Sequence, residues 1–405
     1  MNAPRRAARP RASRRTVAGV RLALSSLSLA LGVSSAALAA VSLRVARTVV
    51  TPAGRVPNVR IASVDAAAQT ITLDRTPDTE LPGRYGLFTV GSVDYLRVGS
   101  IVGSDATTVT RKLLTHVPAD GDLAPEAAFS GWYYDRPEDL HLPVRSVTID
   151  TLVGACPAWE FPAPADTDVW VIQVHGRGTT RAETLRAVPV FHDLGITSLV
   201  VSYRNDGEAA PSATGTYALG ATEWHDLDAA IDYARMHGAR RVIVMGWSMG
   251  GALALQAAFD SPHGDVIAGL VLDSPVVDWR TVLAYQGRLM RLPAPVFGLA
   301  QHLIGSTWGA ALLGSGEPIP LDRLDGVARA AELRHPVLLL HSDDDGFVPA
   351  DASHALAAAR PDLVTMETFE VARHTKLWNY DEMRWTDAIR SWVRAQGLAV
   401  GDPED

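Results

Sequence analysis

Cysteine is almost absent from this sequence, whose 405 residues include only Cys156. A lone cysteine excludes an intramolecular disulfide and a cysteine-based zinc site. Because a chain without disulfides can function on either side of a membrane, this absence does not define the compartment. The sequence also lacks an excess of positive charge, since its formal net charge is −8. We therefore expect no nucleic-acid partner.

Charge of either sign is missing from the run Leu22–Leu43, which follows an arginine-rich tail at residues 1–21. As a helix, this run would be about 33 Å long at ~1.5 Å per residue, which is enough to cross a bilayer. The arginines before it would keep the tail cytoplasmic and place the rest of the chain outside. We therefore expect a transmembrane anchor at residues 22–43, with the membrane as a partner and an extracytoplasmic main body.

A cleaved signal sequence is the alternative interpretation of the same run. Ala37-Leu38-Ala39 is an acceptable small-x-small cleavage site, and cleavage near Ala39 would release a secreted protein. Against cleavage, the run is longer than the ~7–15 apolar residues of a usual signal peptide. The residues that follow, 44–58, include a stretch rich in Pro, Gly and Arg and are predicted to form a linker.

Short alternating runs of apolar and polar residues characterise residues 59–140. Separated by Gly, Pro and Asp, these runs predict β-strands joined by turns. They are Ile61–Val64, Thr70–Leu73, Gly86–Val90, Asp94–Val98 and Thr107–Thr110. The segment is too short for a propeller and contains no recognisable set of catalytic residues. We predict a small β-rich module that serves for packing or spacing.

Buried strands alternate with helices in residues 141–398. The strands are predicted at Val144–Ile149, Ala158–Phe161, Val169–Val174, Ile196–Ser202, Val242–Met245, Ala268–Asp273, Val337–His341 and Val364–Phe369. After an opening antiparallel pair, this alternation predicts a mostly parallel sheet with helices on both faces, an α/β fold. The proline-interrupted segment at about 274–333 predicts an inserted helical cap, and residues 399–405 form an acidic tail.

A candidate nucleophile lies at the junction of the strand Val242–Met245 and the helix that follows it. The junction reads Gly246-Trp-Ser248-Met-Gly250, and its small residues allow the strand and helix backbones to approach closely. On such a tight turn the hydroxyl of Ser248 is exposed at the end of the sheet. The helix N-terminus behind it favours developing negative charge. This pattern indicates nucleophilic catalysis by serine.

The order of these motifs resembles that of the α/β-hydrolase superfamily, and the resemblance covers about residues 142–398. It rests on a strand followed by His175-Gly-Arg-Gly178, then the Gly-x-Ser-x-Gly turn, then acidic residues and a histidine, each after a later strand. Gly246–Gly251 and Ser202–Gly207 are similar to the serine aminopeptidase-like (S33) and Bem46-like branches. Where those branches usually have an aromatic residue, Arg and Gly, this chain has Tyr203, Arg204 and Asn205.

The resemblance implies which residues complete a Ser-His-Asp triad with Ser248. The segment His341–Pro349 is similar to the superfamily pattern His-Gly-x-x-Asp-x-x-Val-Pro, which places the acid at Asp345. Asp343 is the alternative, because it lies only two positions earlier. His374, on the loop after the next strand, matches the position of the superfamily's histidine base.

The resemblance also implies two oxyanion-hole donors, the backbone N–H groups of Met249 and Arg177. His175 would brace the loop, and the Arg177 side chain would be either solvated or opposite a negatively charged substrate. No metal or organic cofactor is needed for this chemistry. Apolar cap residues would surround a small-molecule acyl substrate or pack against one another. These are Trp279, Tyr285, Met290, Phe297, Trp308 and Leu312.

The expected function is that of a carboxylesterase-like or lipase-like serine hydrolase, which cleaves an ester or thioester through an acyl-enzyme. Two alternatives stay open. One is a serine peptidase or amidase of aminopeptidase-like type, and the other is a non-catalytic, membrane-anchored binding module with the same fold.

Overall fold

The computed structural model describes residues 35–91 and 93–400 of the chain. Within these residues an N-terminal helix is followed by a closed β-barrel and then by a larger unit built on an eight-stranded sheet. The helix, α1, occupies residues 35–50. Along the sequence, α1 and the barrel therefore precede every predicted catalytic residue.

Six strands close into the barrel in the order β1-β2-β5-β4-β3-β6. They are β1 (Val59–Asp65), β2 (Thr70–Asp74), β3 (Tyr85–Phe88), β4 (Tyr95–Ser104), β5 (Thr108–Leu113) and β6 (Glu126–Ser130). The β-rich module predicted from the sequence is thereby confirmed. The alternation predicted five of the strands and missed β6, and the barrel ends at Ser130, before the predicted boundary at residue 140.

A buried arginine lies in the middle of β5, one residue beyond the end of the strand predicted there. Arg111 is fully buried and lies on the same face of β5 as the buried residues Val109 and Leu113, so its side chain points into the barrel. Its guanidinium donates to the carbonyl oxygens of Gly99, at 2.7 Å, and Thr79, at 3.1 Å. Burial lowers the pKa of Arg111 to about 10, although the neighbouring Tyr85 opposes this shift. The barrel core is therefore held together partly by a cation bound to backbone carbonyls.

The eight-stranded sheet has the order β14-β13-β12-β11-β9-β10-β8-β7. Its strands are β7 (Arg145–Thr151), β8 (Gly154–Phe161), β9 (Val169–Val174), β10 (Thr197–Val201), β11 (Arg241–Trp247), β12 (Ile267–Asp273), β13 (Val337–Ser342) and β14 (Val364–Phe369). The pairs β7–β8 and β8–β10 are antiparallel, and every other pair is parallel. This is the α/β arrangement predicted from the alternation of strands and helices.

Helices cover both faces of this sheet. They are α2 (Val188–Asp193), α3 (Trp224–Met236), α4 (Met249–Asp260), α8 (Asp351–Ala359), α9 (Leu377–Tyr380) and α10 (Glu382–Ala395). Successive residues of one strand enter opposite hydrophobic cores, as Ile172 and Val171 of β9 do. Because both faces are buried, the central strands are mostly apolar on both sides, which is why they appear in the sequence as largely apolar runs.

The helical cap lies between β12 and β13, within the predicted segment 274–333. It contains α5 (Trp279–Leu289), α6 (Ala294–Gly305) and α7 (Thr307–Leu313). Asp278 caps α5 through hydrogen bonds from the backbone N–H groups of Arg280 and Thr281. Prolines flank rather than interrupt the helices, since Pro293 immediately precedes α6 and Pro295 lies in its first turn.

The N-terminal segment differs from the prediction. Residues 22–34 of the predicted membrane anchor lie outside the described residues, and residues 35–43 belong to α1, which continues to residue 50. The helix thus extends across the predicted boundary at residue 43 and includes residues 44–50 of the predicted linker at 44–58. Ser42, Ala46 and Val50 are fully buried, and the N–H of Tyr217 donates to the carbonyl of Val50 at 2.7 Å.

Toward its C-terminal end, α1 packs against the folded domain. Ala46 and Val50 belong to the same hydrophobic core as the helices on one face of the sheet. Across residues 35–91 and 93–400, no single helix is long and apolar enough to span a membrane. The predicted transmembrane helix therefore has no support among the described residues, and residues 22–34 of that prediction lie outside them.

Candidate active site

Ser248 occupies a strained turn between β11 and α4. Its backbone has φ = +52° and ψ = −116°, a conformation that is rare for a residue with a side chain. A Cβ on Gly246 would lie 2.3 Å from the carbonyl oxygen of Gly250, and one on Gly250 would lie 2.3 Å from that of Val174. Both positions therefore require glycine, which is the reason for the Gly-x-Ser-x-Gly pattern.

The structure brings the three predicted catalytic side chains together. The Nε2 atom of His374 lies 3.0 Å from the Oγ of Ser248, and its Nδ1 atom lies 2.7 Å from Oδ2 of Asp345. The histidine is on the loop after β14, and the aspartate is on the loop after β13. In this arrangement an imidazole can accept the serine proton while the carboxylate orients it.

Asp345 is buried and accepts several hydrogen bonds. Its Oδ1 receives the backbone N–H groups of Phe347 and Val348, both at 2.8 Å. Burial by itself raises the pKa of Asp345, but the neighbouring imidazoles of His374 and His341 lower it by more. The net pKa lies well below the usual range for an aspartate, so this carboxylate is ionised near neutral pH.

The other two acidic residues of the same loop have different partners. Asp343 is exposed, and its Oδ1 lies 2.7 Å from the Nε2 of His354. Asp344 forms an ion pair with Arg373 at 3.2 Å. Of these three acids only Asp345 meets His374, so the acid that the resemblance implied, rather than the alternative Asp343, lies beside the histidine.

The backbone N–H groups of Met249 and Arg177 have no acceptor in the described part of the chain. Met249 is the first residue of α4, where N–H groups have no partner within the helix. A Cβ on Gly176 would lie 3.2 Å from the Cβ of Ser248, so the His175–Gly178 loop closely approaches the nucleophile.

Hydrogen bonds on both sides of Gly176 set the orientation of the peptide that joins it to Arg177. The hydroxyl of Tyr203 donates to the Gly176 carbonyl at 2.9 Å, and Nδ1 of His175 lies 2.8 Å from the same oxygen. The N–H of Gly176 donates to the buried carboxylate of Glu183 at 3.0 Å. Because C=O and N–H point in opposite directions across a trans peptide, anchoring this carbonyl turns the Arg177 N–H away from Tyr203.

Replacing Tyr203 by phenylalanine is expected to lower kcat about tenfold with little change in KM. Loss of an oxyanion donor typically lowers kcat by about 10²–10³-fold, and here His175 would still hold the carbonyl, so the effect is smaller. Tyr233→Phe is the matched control, because the Tyr233 hydroxyl lies 3.4 Å from Glu160 of β8 and not against the Gly176 peptide. Steady-state kinetics on one substrate measure both; equal kcat values for the two variants would contradict the orienting role.

The Arg177 side chain matches neither expectation from the sequence. It is neither solvated nor directed at a substrate anion, because its guanidinium donates to three carbonyls at the C-terminal end of α1. The acceptors are Val49, at 3.0 Å, Thr48, at 2.5 Å, and Thr51, at 2.9 Å. Burial lowers the pKa of this guanidinium, with Tyr217 and Tyr203 acting in the opposite direction. Arg177 thereby connects α1 to the loop beside Ser248.

A mostly apolar cavity of about 660 Å³ opens next to Ser248 and His374. Of the six apolar cap residues singled out in the sequence, Trp279, Met290 and Phe297 line it. Trp308 and Leu312 are exposed on α7, and the Tyr285 hydroxyl instead donates to the Asp345 carbonyl at 3.2 Å. Three of the six residues therefore line the cavity and the other three do not.

Sequence reasoning missed Glu183, which also lines the cavity. Its Oε2 accepts hydrogen bonds from the Gly176 N–H and from the Thr179 hydroxyl, at 3.0 and 2.7 Å. In the sequence, Glu183 is marked only by its position, five residues after the His-Gly-x-Gly motif. Its observed contacts give it a role in holding the loop.

The barrel contacts the loop that carries His374. Asp78, in the connection between β2 and β3, lies 3.4 Å from Arg373 and 3.5 Å from Lys376. Arg84 forms an ion pair with Glu382 at 2.7 Å, and its carbonyl accepts a hydrogen bond from Asn379. The barrel therefore lies against the loop that carries His374.

An eight-stranded, mostly parallel sheet with a serine on the turn after its fifth strand, and an acid and a histidine after later strands, defines the class of α/β hydrolases. Comparison with known families agrees. A sequence model of the alpha/beta hydrolase family matches residues 171–388, and the chain belongs to that family. Residues 60–130, which form the barrel, match a domain of unknown function (DUF8805).

Curated relatives share moderate identity with this chain. The uncharacterized protein YqkD of Bacillus subtilis is 27% identical over 198 residues, which cover 48% of this chain and 61% of the relative. The uncharacterized protein Rv2307c of Mycobacterium tuberculosis is 27% identical over 221 residues, which cover 53% and 66%. The matches thus span less than two thirds of the length of these relatives.

Solved structures of other proteins superimpose on parts of this chain. The Pyrococcus furiosus esterase Pf2001 superimposes with a TM-score of 0.51 at 19% identity, covering 64% of this chain and 94% of the esterase. A puromycin-hydrolyzing peptidase of Mycobacterium tuberculosis covers 82% of this chain and 46% of its own, with a TM-score of 0.47 and 20% identity. At these identities, the likeness concerns the fold alone.

Proposed function

We propose that this protein is a serine hydrolase that cleaves a carboxylic ester or thioester through an acyl-enzyme on Ser248. The observation that carries the proposal is the position of the His374 imidazole, 3.0 Å from the serine hydroxyl and 2.7 Å from the Asp345 carboxylate. The serine supplies the nucleophile, the imidazole in contact with it supplies the base, and the buried carboxylate orients that base.

The reaction would proceed in two half-reactions. Ser248 Oγ attacks the ester carbonyl carbon while its proton moves to Nε2 of His374. The bond to the leaving alcohol then breaks, and His374 returns the proton to that alcohol, which leaves Ser248 acylated. A water molecule repeats the attack on the acyl-enzyme with His374 again as the base, and it releases the carboxylic acid and free Ser248.

Both tetrahedral intermediates carry a negatively charged oxygen that must be stabilised. The backbone N–H groups of Met249 and Arg177 are the proposed donors, supported by the absence of any acceptor for them in the described chain. Each such donor typically contributes about 10²–10³-fold to kcat. The strained backbone of Ser248 and the glycines around it keep these groups in place before substrate binds.

An ester is favoured over a peptide by the lining of the cavity. Most of its surface is apolar, which suits a hydrocarbon group. A peptidase that recognises a free amine would need carboxylates directed at it. The one carboxylate in the lining, Glu183, already accepts two hydrogen bonds from the loop that it supports.

Matched ester and amide substrates test the choice between these functions. The full chain is assayed with p-nitrophenyl esters and p-nitroanilides of the same acyl groups, with Ser248→Ala as the blank. We expect kcat/KM for the ester to exceed that for the anilide by more than 10²-fold. Comparable values for an amide with a free amine would favour the peptidase, and no serine-dependent turnover of either class would favour a binding module.

A further inference from the structure

We propose that helix α1 forms one wall of an acyl-binding pocket and sets the chain length that the enzyme accepts, so that its substrates are esters of aliphatic carboxylic acids. This inference rests on the proposed function. Helix α1 lies outside both matched family regions, which begin at residues 60 and 171. The pocket wall is therefore a feature of this chain rather than of the hydrolase domain.

One face of α1 borders the cavity. The lining residues of this helix are Val41, Arg44, Val45, Thr48 and Val49. Their spacing of three and four residues places them along a single stripe of the helix. The opposite wall consists of apolar residues of the cap, among them Val282, Leu283 and Phe297. A hydrocarbon chain between these walls would be enclosed by protein on both sides.

The position of α1 is well defined by its contacts with the hydrolase domain. The three hydrogen bonds from the Arg177 guanidinium hold its C-terminal end, and the Tyr217 N–H binds the Val50 carbonyl. Arg47 donates to the carbonyl of Leu312 on α7 at 3.0 Å. Because Ala46 and Val50 are fully buried, the opposite side of the helix is anchored in the core. A wall held in this way can define the size of a pocket.

The direction of the helix gives the pocket a near end and a far end. Val49 is close to the His175–Gly178 loop beside Ser248, because the Val49 carbonyl accepts a hydrogen bond from the side chain of Arg177. Val45 and Val41 follow at one-turn intervals, so Val41 lies about 12 Å further along the axis at ~1.5 Å per residue. Val41 is also 39% exposed, which places it at the mouth. An acyl chain bound to Ser248 would pass Val49 first, Val45 next and Val41 last.

Chain-length profiles of the full-length wild type and of tryptophan variants test this order. In the wild type, kcat/KM for p-nitrophenyl esters should rise with each added methylene by up to about fourfold, the equivalent of ~0.8 kcal/mol, until the pocket is full. Val49→Trp should lower kcat/KM at least tenfold from short chains onward. Val45→Trp should do so from intermediate chains, and Val41→Trp only for the longest.

Two further variants provide the controls. Val56→Trp makes the same change at a position that is 71% exposed and outside the cavity lining, so its profile should match the wild type. Val45→Ala enlarges the pocket and should move the optimum to longer chains, which no general loss of folding could produce. Unchanged profiles in Val41→Trp, Val45→Trp and Val49→Trp, or the reverse order of effects, would overturn the proposal.

A binding measurement separates failure of this inference from failure of the proposed function. Titration calorimetry of Ser248→Ala with fatty acids of increasing length requires no catalysis. If α1 forms the wall, affinity rises with fatty-acid length up to a maximum length, and Val45→Trp makes that maximum length shorter. This holds whether or not the wild type hydrolyses esters. If the wild type is an active esterase but Val45→Trp leaves both binding and hydrolysis unchanged, the serine chemistry stands and the acyl-wall assignment is wrong.

Discussion

Replacing Ser248 by alanine is expected to lower kcat for ester hydrolysis by about 10⁴–10⁶-fold while the protein stays folded. The expected loss is this large because serine, histidine and aspartate act as a unit, so removal of the nucleophile removes the contribution of all three. The remaining oxyanion donors still bind substrate and polarise its carbonyl, which leaves a small residual rate. Steady-state kinetics with the best p-nitrophenyl ester, together with thermal unfolding, measure both effects.

A glycine at the same position gives a matched control for folding. Ser248 has φ = +52° and ψ = −116°, a strained conformation that glycine adopts without a steric penalty. Ser248→Gly is therefore expected to be as inactive as Ser248→Ala but more stable than it, by about 1 kcal/mol in the free energy of unfolding. Residual activity above about 1% in either variant would contradict the assignment of Ser248 as the nucleophile.

Replacing Asp345 by asparagine is expected to lower kcat by about 10⁴-fold. The carboxylate lies 2.7 Å from Nδ1 of His374 and keeps the hydrogen on that nitrogen, which leaves Nε2 free to accept the serine proton. An amide group at this position can present its own N–H to Nδ1 and favour the wrong tautomer. Asp343→Asn is the matched control, because Asp343 is paired with exposed His354 and should retain nearly full activity.

The Asp345→Asn variant also allows a prediction about stability. Because the pKa of Asp345 is lowered in the folded protein, its carboxylate stabilises the fold above the ordinary aspartate pKa of about 4, and this contribution is lost as the pH falls through the lowered pKa. Asp345→Asn should therefore be less stable than the wild type at pH 7, with a difference that shrinks below about pH 4. Chemical denaturation at several pH values measures this; a difference independent of pH would contradict the lowered pKa.

Residues whose function depends on local backbone geometry could be predicted from the sequence. The tight turn at Ser248 requires Gly246 and Gly250 because their Cβ atoms would collide with backbone, so the pattern itself reports the turn. The central strands were predictable for a similar reason, since burial on both faces demands unbroken apolar runs. These are constraints that neighbouring residues impose on one another.

Residues that act through distant parts of the chain could not be found in this way. Asp343 and Asp345 differ by two positions, and only the packing of the loop after β13 decides which one meets His374. Tyr203 and Glu183 support the Gly176 peptide from separate segments, so no local pattern links them to it. Hydropathy alone also could not show that one face of α1 lines a cavity of the folded domain.

Covalent labelling of the full chain tests the central claim, an activated serine at position 248, most directly. The protein is treated with a fluorophosphonate, and intact mass and peptide mapping locate the adduct in the wild type, Ser248→Ala and Asp343→Asn. We expect one adduct on Ser248 in the wild type and in Asp343→Asn, and none in Ser248→Ala. Failure of the folded wild type to react, or labelling that persists in Ser248→Ala, would contradict the account.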